Sequence, residues 1–519
     1  MLFHTWTFAL FFAIVYPVYR LAKGTRFEFW WLWAASYFFY GCWNPLYLLI
    51  IIYGTLADYF IVVGMEKVGH KKWWLAGSVV SNIGLLAFFK YAHFIRSNLN
   101  ALLAYVGIPY SLPSPDGAAQ CTWFLTDGLN GLLGLAGIPY QFPHAESFLL
   151  PVGISFFTFQ SMSYIIDCYR GDVERERSLL RYAVYVSLFT QLVAGPIERA
   201  SNLLRQLRHD RAITREDIAD GLSLFGVGLF KKVALADFLA LYVDKVYAAP
   251  RDFQAPALAL ATFAFAWQIY FDFSGYTDMA RGLARMLGLR LMLNFNNPYL
   301  ADGLGDFWRR WHISLSTWFR DYVYIPLGGN RKGEFATYRN MFLTMVISGV
   351  WHGAAWTFLI WGALHGAGRL LTRALEQTPF YRDRVPRIVK QGGVFTFVCF
   401  AWIFFRAASV GDAWLIVTRI VTGAWTGAPT TVAQIVTSGR ADAWLVAKRV
   451  FASGLAESAF PALALGFVLA VWLYQFFYES RARGVVEWAP VRLGLVVLMA
   501  VYVAAFAAAS AQPFIYFQF

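Results

Sequence analysis

Long apolar stretches separated by short polar connections run through this chain. They lie near 5 to 19, 28 to 43, 45 to 64, 74 to 92, 217 to 243, 255 to 275, 341 to 361, 393 to 405, 460 to 478 and 491 to 511, with weaker ones near 149 to 166 and 181 to 195. A spanning helix needs about 20 apolar residues, so the pattern predicts an all-α polytopic membrane fold of roughly ten to thirteen embedded helices, some re-entrant or tilted. A transmembrane β-barrel would alternate apolar and polar positions over segments of about ten residues. Leu48-Leu49-Ile50-Ile51-Ile52 does not alternate. No Lys or Arg precedes the first run, whereas Arg20, Lys23 and Arg26 follow it, so it is expected to stay as a spanning helix rather than be cleaved as a signal peptide.

Polar residues inside such stretches carry the information, because an ionisable side chain at a helix centre costs about 2.5 to 3.5 kcal/mol on insertion scales. Three clusters stand out. The first, QIYFDFSGYTDMAR, ends the run that begins at Leu258 and puts Gln268 and Asp272 four residues apart on one helix face. Two readings are open: a substrate or ion contact, or a polar clamp between helices with Asp278 paired to Arg281 or Arg285.

The second cluster runs from Asp306 to Tyr322 and ends in Ile325-Pro-Leu-Gly-Gly-Asn-Arg331-Lys332. The spacing predicts one helix with Trp308, Trp311, Leu315, Trp318 and Tyr322 on an apolar face and Arg309, His312, Ser316 and Arg320 along another. It suits a polar cavity or a dip from one surface better than a lipid crossing. Arg309, Arg310, Arg320, Arg331 and Lys332, with Ser316 beside them, are candidate contacts for the phosphates of a substrate, or for those of lipids.

The third cluster is the sharpest. Met341 to Trp361 is long enough to span, and its one ionisable group is His352, flanked at helical spacing by Ser348, Gly349, Ala355 and Trp356. The small neighbours leave room beside the imidazole. Gly349 and Gly353 also form a GxxxG spacing that admits another helix, so a functional histidine and a packing histidine are both open. Trp351 and Trp356 are candidate substrate contacts, and His365, near the helix end beside Arg369, is read as packing.

Composition agrees with the pattern: of 519 residues 58% are hydrophobic and 14% charged, against about 25% charged in soluble proteins. Net charge is +13. The cations cluster in short connections such as Lys67/Lys71/Lys72 and Arg175/Arg177/Arg181, which marks cytoplasmic loops rather than a nucleic-acid surface. The Arg20 to Arg26 turn is placed inside and the N-terminus outside. Arg199, Arg205, Arg208, Arg211 and Arg215, among leucines, predict a surface stretch that grips anionic lipid headgroups, with a basic rim attracting a phosphorylated substrate as the alternative. The cysteines 42, 121, 168 and 399 form no CxxC pair, and no HExxH or His-carboxylate spacing points to zinc, so no metal site is read. No Walker loop, GxGxxG or GxSxG is present, which counts against an ATP-driven pump and a soluble-type hydrolase.

No polar linker divides the chain, so a single membrane domain is expected. It holds a motif-bearing core at about 150 to 407, a Pro/Gly-punctuated insertion at 101 to 148, bracketed by GIPYSLP and GIPYQFP, and a C-terminal part at 410 to 519.

The runs PVGISFFTFQ, QLVAGPIERA, QIYFDFSGYTDMARG, FWRRWHISLSTWFRDYVYIPLGGNR, SGVWHGAAWTFLIWGALHG and WIFFRA together resemble the bacterial membrane-bound O-acyltransferases, above all those acting in alginate and other polysaccharide acetylation. The resemblance spans roughly 30 to 410. It implies helices around a central tunnel, a catalytic histidine at His352 and a second site residue at His312. It also implies acetyl-CoA as the donor with no tightly bound cofactor, and an extracytoplasmic partner acyltransferase that serves a polysaccharide from the bacterial inner membrane. Chemically, His352 can act as a base or form an acyl-imidazole. D-alanyl transfer to an envelope polymer and proton-coupled transport are the competing readings.

Overall fold

The computed structural model describes residues 1–116, 123–135, 151–193, 195–209 and 212–423, with isolated positions beyond 472. The apolar runs predicted near 460 to 478 and 491 to 511, and most of the 410 to 519 part, lie outside the described residues. So does much of the 101 to 148 insertion, of which α6 below is described. Among the described residues there are helices and turns and no strands. The helices are α1 (Trp6–Ala22), α2 (Phe27–Gly41), α3 (Leu48–Lys67), α4 (Lys71–Leu86), α5 (Ala92–Tyr105), α6 (Trp123–Leu135), α7 (Ile154–Arg170), α8 (Leu179–Ser187) and α9 (Arg205–Arg208). They continue with α10 (Arg215–Phe230), α11 (Asp237–Ala248), α12 (Ala255–Met286), α13 (Leu304–Arg310), α14 (Ile313–Phe319), α15 (Gly333–His352), α16 (Trp356–Gln377), α17 (Arg387–Arg406) and α18 (Val410–Thr422).

Backbone contacts gather the chain into two compact units. One comprises residues 11–193 and 197–211, the other mainly 212 onward with residues 2–10 and 194–196. Four helical segments are long and apolar enough to cross a membrane unaided: Pro45–Lys67, Lys71–Tyr105, Ala255–Met286 and Arg387–Arg406. Two further predicted spans are interrupted. The stretch near 217 to 243 is split by a π-helical turn at Lys231–Ala236, where two adjacent lysines enter the protein.

In the first unit, Asn44 sets the start of α3: its side chain accepts a hydrogen bond from the Leu46 N–H at 2.9 Å and caps the Pro45–Tyr47 turn. The basic stretch after Glu198 is not uniformly exposed. Arg199 is buried, and Arg208 reaches back to the buried Glu176 at 2.8 Å, so part of the predicted headgroup-gripping charge is spent inside the protein.

The second unit is built on α12. Of its most apolar window 83% is buried, so this helix meets protein rather than lipid. Small residues allow the approach of α10. A Cβ on Gly228 would lie 2.5 Å from the Gly275 carbonyl oxygen, and one on Gly282 would lie 2.6 Å from that of Gly221. The predicted span at 341 to 361 is two helices instead of one. It breaks at Gly353, whose backbone is extended, and α16 turns back against α15. A Cβ on Gly349 would lie 2.3 Å from the Phe358 carbonyl oxygen and 3.0 Å from the Gly362 Cα, so the GxxxG glycines serve this hairpin. His352 is thereby moved from mid-helix to the last residue of α15.

Candidate active site

The predicted helix from 306 to 322 is broken at His312. Its backbone adopts a left-handed conformation at φ +43°, which costs an L-residue roughly 1 to 2 kcal/mol. The segment 294–296 holds it there. The Asn296 N–H donates to the Arg310 carbonyl, and the Ile313 N–H to the Asn294 carbonyl, each at 2.9 Å. The Asn294 side-chain oxygen accepts from the Ser314 N–H at 3.2 Å and the Ser314 hydroxyl at 2.6 Å. This clamp aims a fully buried imidazole inward, edge-on to Phe273 with centroids 4.6 Å apart. His312 lies between two seven-residue helices, outside the spanning segments, and burial pushes its pKa down to about 3. The ring is neutral at physiological pH.

His312 and His352 share one neighbour. The Trp351 ring centroid is 6.2 Å from that of His312 and 4.9 Å from that of His352. His352 also meets Trp361 at 4.9 Å and Phe405 at 5.3 Å. Trp361 in turn lies 4.7 Å from His365. Trp402 is stacked 5.9 Å from Trp361 and lies 5.1 Å from Trp311. Three imidazoles are thus set into one wall of aromatic rings contributed by α12, α13, α15, α16 and α17. Low polarity around an imidazole favours its uncharged form, which can accept a proton or attack a carbonyl. Among the described residues no group of three His, Cys, Asp or Glu side chains is placed to hold a metal.

The other sequence-predicted residues divide clearly. Trp351 lies at the centre, whereas Trp356 is more than half exposed. Asp272 is drawn into a buried ion cluster. It pairs with Lys232 at 2.7 Å, Lys232 pairs with Asp237 at 2.8 Å, and all three are buried. Gln268 is buried one turn earlier on α12. The polar-clamp reading describes Asp272 because an intramembrane carboxylate is stabilised by a buried ammonium. Asp278 pairs with Lys231 at 2.7 Å and Arg281 at 3.4 Å, while Arg285 goes to Asp217.

The continuous cationic stripe does not form, because His312 turns inward at the break. Arg310 bonds Asp306 at 2.8 Å, and Arg309 approaches the same carboxylate at 3.5 Å while mostly exposed. Arg320 is exposed and bonds Asp321 at 2.7 Å, and Ser316 donates to the Trp311 carbonyl at 3.1 Å. Arg331 and Lys332 are exposed on the turn made by Gly328 and Gly329, both at positive φ.

Sequence reasoning missed Asn294, His365, Trp402 and Phe405 as site-building residues. Asn294 opens the polar run NFNNP, and His365 repeats the His-Gly pair of the WHG motif thirteen residues on. Those were the available signals.

Residues 172–411 match the family model for the membrane-bound O-acyltransferase (MBOAT) family. The chain is 39% identical to the probable alginate O-acetylase AlgI of Pseudomonas aeruginosa over 80% of its own length and 74% of that protein. It is 35% identical to the peptidoglycan O-acetyltransferase of Helicobacter pylori, over 76% and 73% respectively. It is 28% identical to the teichoic acid D-alanyltransferase of Bacillus subtilis, over 49% and 68%. With its apolar crossing helices and its buried histidine wall, the chain belongs to the membrane-bound O-acyltransferase family.

Proposed function

We propose that this membrane acyltransferase takes an acetyl group from cytoplasmic acetyl-CoA and passes it through the bilayer for O-acetylation of an extracytoplasmic polysaccharide such as alginate. A partner acyltransferase on the far side of the bacterial inner membrane completes the transfer. The observation that carries the proposal is the pair of buried histidines that both neighbour Trp351. Similarity to an alginate O-acetylase, greater in identity and coverage than that to a teichoic acid D-alanyltransferase, favours acetyl over D-alanyl.

In this mechanism an acceptor hydroxyl oxygen attacks the thioester carbonyl carbon, and His352 takes the hydroxyl proton. The C–S bond then breaks, and the imidazolium returns its proton to the departing thiolate. His312, neutral and fixed by its clamp, orients the carbonyl. The aromatic wall excludes water, which would otherwise intercept the acyl group. The exposed cations Arg309, Arg320, Arg331 and Lys332 bind the phosphates of the donor.

The test is CoA release from radiolabelled acetyl-CoA by protein reconstituted in vesicles, with and without the partner. General-base catalysis contributes about 10²- to 10⁴-fold. His352→Ala is therefore expected to lower turnover by at least about a hundredfold with the fold retained. Equal release by wild type and variant removes His352 from the reaction, and transmembrane flux of an intact solute without CoA release replaces acyl transfer with transport.

A further inference from the structure

The first unit carries an open surface depression, lined mostly by exposed side chains, that the acyl-transfer reading does not use. It has a volume of about 570 Å³ and is lined by His70, Lys71, Lys72, Trp73, Tyr169 and Arg170. A depression of this size, open to the surroundings, can meet a phosphorylated head from one side. Two elements build it. Lys71, Lys72 and Trp73 open α4, and Tyr169 and Arg170 close α7.

Its charge is one-sided. Three of the six lining residues are lysine or arginine and none is acidic. Among the described residues, neither Lys71 nor Lys72 has an ion-pair partner. Glu66, in the last turn of α3, is already bonded by Arg175 at 2.6 Å. The backbone is also strained at this point: Gly69 and His70 are successive left-handed residues at φ +74° and +51°. For a histidine that conformation is unfavourable, and it sets the entry into α4.

Position narrows the chemistry. The crossing segment Pro45–Lys67 ends, and Lys71–Tyr105 begins, at this turn, so the depression opens at the boundary between bilayer and water. Tryptophan and tyrosine favour that boundary, with their rings toward acyl chains and their polar edges toward headgroups. Lysine and arginine facing one space bind phosphate oxygens, arginine in a bidentate manner.

We infer that His70, Lys71, Lys72 and Arg170, with Trp73 and Tyr169, form a binding site for a phosphate group. Its source is either an anionic phospholipid headgroup or a soluble phosphate ester. The proposal stands independently of the donor and acceptor of the acyl-transfer reaction.

The experiment titrates the detergent-solubilised full-length protein with two probes, dioctanoylphosphatidylglycerol and inorganic pyrophosphate, and reads affinity by isothermal titration calorimetry. The variant Lys71→Gln/Lys72→Gln/Arg170→Gln is compared with a charge-matched control on another surface, Arg382→Gln/Arg384→Gln/Lys390→Gln. Each cation near a phosphate surface contributes about fivefold in affinity, so the site variant is expected to bind roughly a hundredfold more weakly, with the control within threefold of wild type. Where the triple variant fails to fold, Lys71→Gln and Arg170→Gln alone are each expected to lose about fivefold.

Saturable binding of the lipid alone assigns the site to a headgroup, and of pyrophosphate alone to a soluble ester. Either result, lost in the site variants and kept in the control, supports the site. Equal weakening in site and control variants, or no saturable binding of either probe, overturns it.

Discussion

Replacing Asn294 with alanine removes one oxygen that accepts two hydrogen bonds, from the Ser314 N–H at 3.2 Å and the Ser314 hydroxyl at 2.6 Å. Both residues are fully buried, so the freed groups find no water in exchange. Each lost bond is worth about 0.5 to 1.5 kcal/mol, and a buried donor left unsatisfied costs about 1 to 3. The left-handed backbone of His312 at φ +43° holds roughly 1 to 2 kcal/mol of strain, which this clamp offsets. Losing about 2 kcal/mol of clamp is therefore enough to release His312 from its place. Since 1.36 kcal/mol corresponds to tenfold, turnover is expected to fall about thirtyfold. Ser314→Ala keeps the backbone bond and loses the hydroxyl bond, so an intermediate loss of about fivefold is expected. The assay is single-turnover CoA release, with size-exclusion and helical circular dichroism as controls for folding. An Asn294→Ala protein that is folded and turns over at the wild-type rate refutes the argument that the clamp positions His312.

Other parts of the second unit make separate predictions. Gly349→Ala drives a methyl group to 2.3 Å from the Phe358 carbonyl oxygen, and overpacking of this kind costs about 1 to 3 kcal/mol. A lowered unfolding temperature in detergent, with activity reduced through displacement of His352, is the expected outcome, and an unchanged melting curve contradicts the close α15–α16 contact. Lys232→Met strands Asp237 and Asp272 in the interior, with an expected loss of about 3 to 5 kcal/mol, and Lys232→Met/Asp272→Asn should recover part of it. Chemical denaturation of the three proteins checks this, and a single variant as stable as wild type counts against a buried ion cluster. For His312 the folded pKa of about 3 lies below the ordinary value near 6.5, so the unfolded chain binds the extra proton. Stability then rises with pH over that interval and is lost progressively as pH falls below about 6.5. His312→Gln should flatten that slope, and an equally steep acid loss in the variant assigns it to other groups.

Much of the helical plan was legible in the linear order of residues, because about 20 apolar residues in a row have one stable answer in a bilayer. The runs at 5 to 19, 28 to 43 and 45 to 64 correspond to α1, α2 and α3 within a few residues. The two breaks were not legible. Trp311-His312 and Gly353-Ala-Ala355 sit inside patterns with good helical spacing, and periodicity does not report a turn that a distant segment stabilises. Asn294 lies eighteen residues before His312, and only folding brings its side chain to Ser314. Asp272 was ambiguous for the same reason: its partner Lys232 is forty residues away.

The sequence by itself determined that this is an all-helical membrane protein, and its motifs marked His312 and His352 as the residues to watch. Insertion energy depends on local composition, and a motif is a local string. Tertiary structure alone decided that these two histidines share Trp351, that His365, Trp402 and Phe405 belong to the same wall, and that Asp272 meets Lys232. Those outcomes depend on which helix faces meet, and facing is settled by packing and buried charge pairing between segments far apart in the chain.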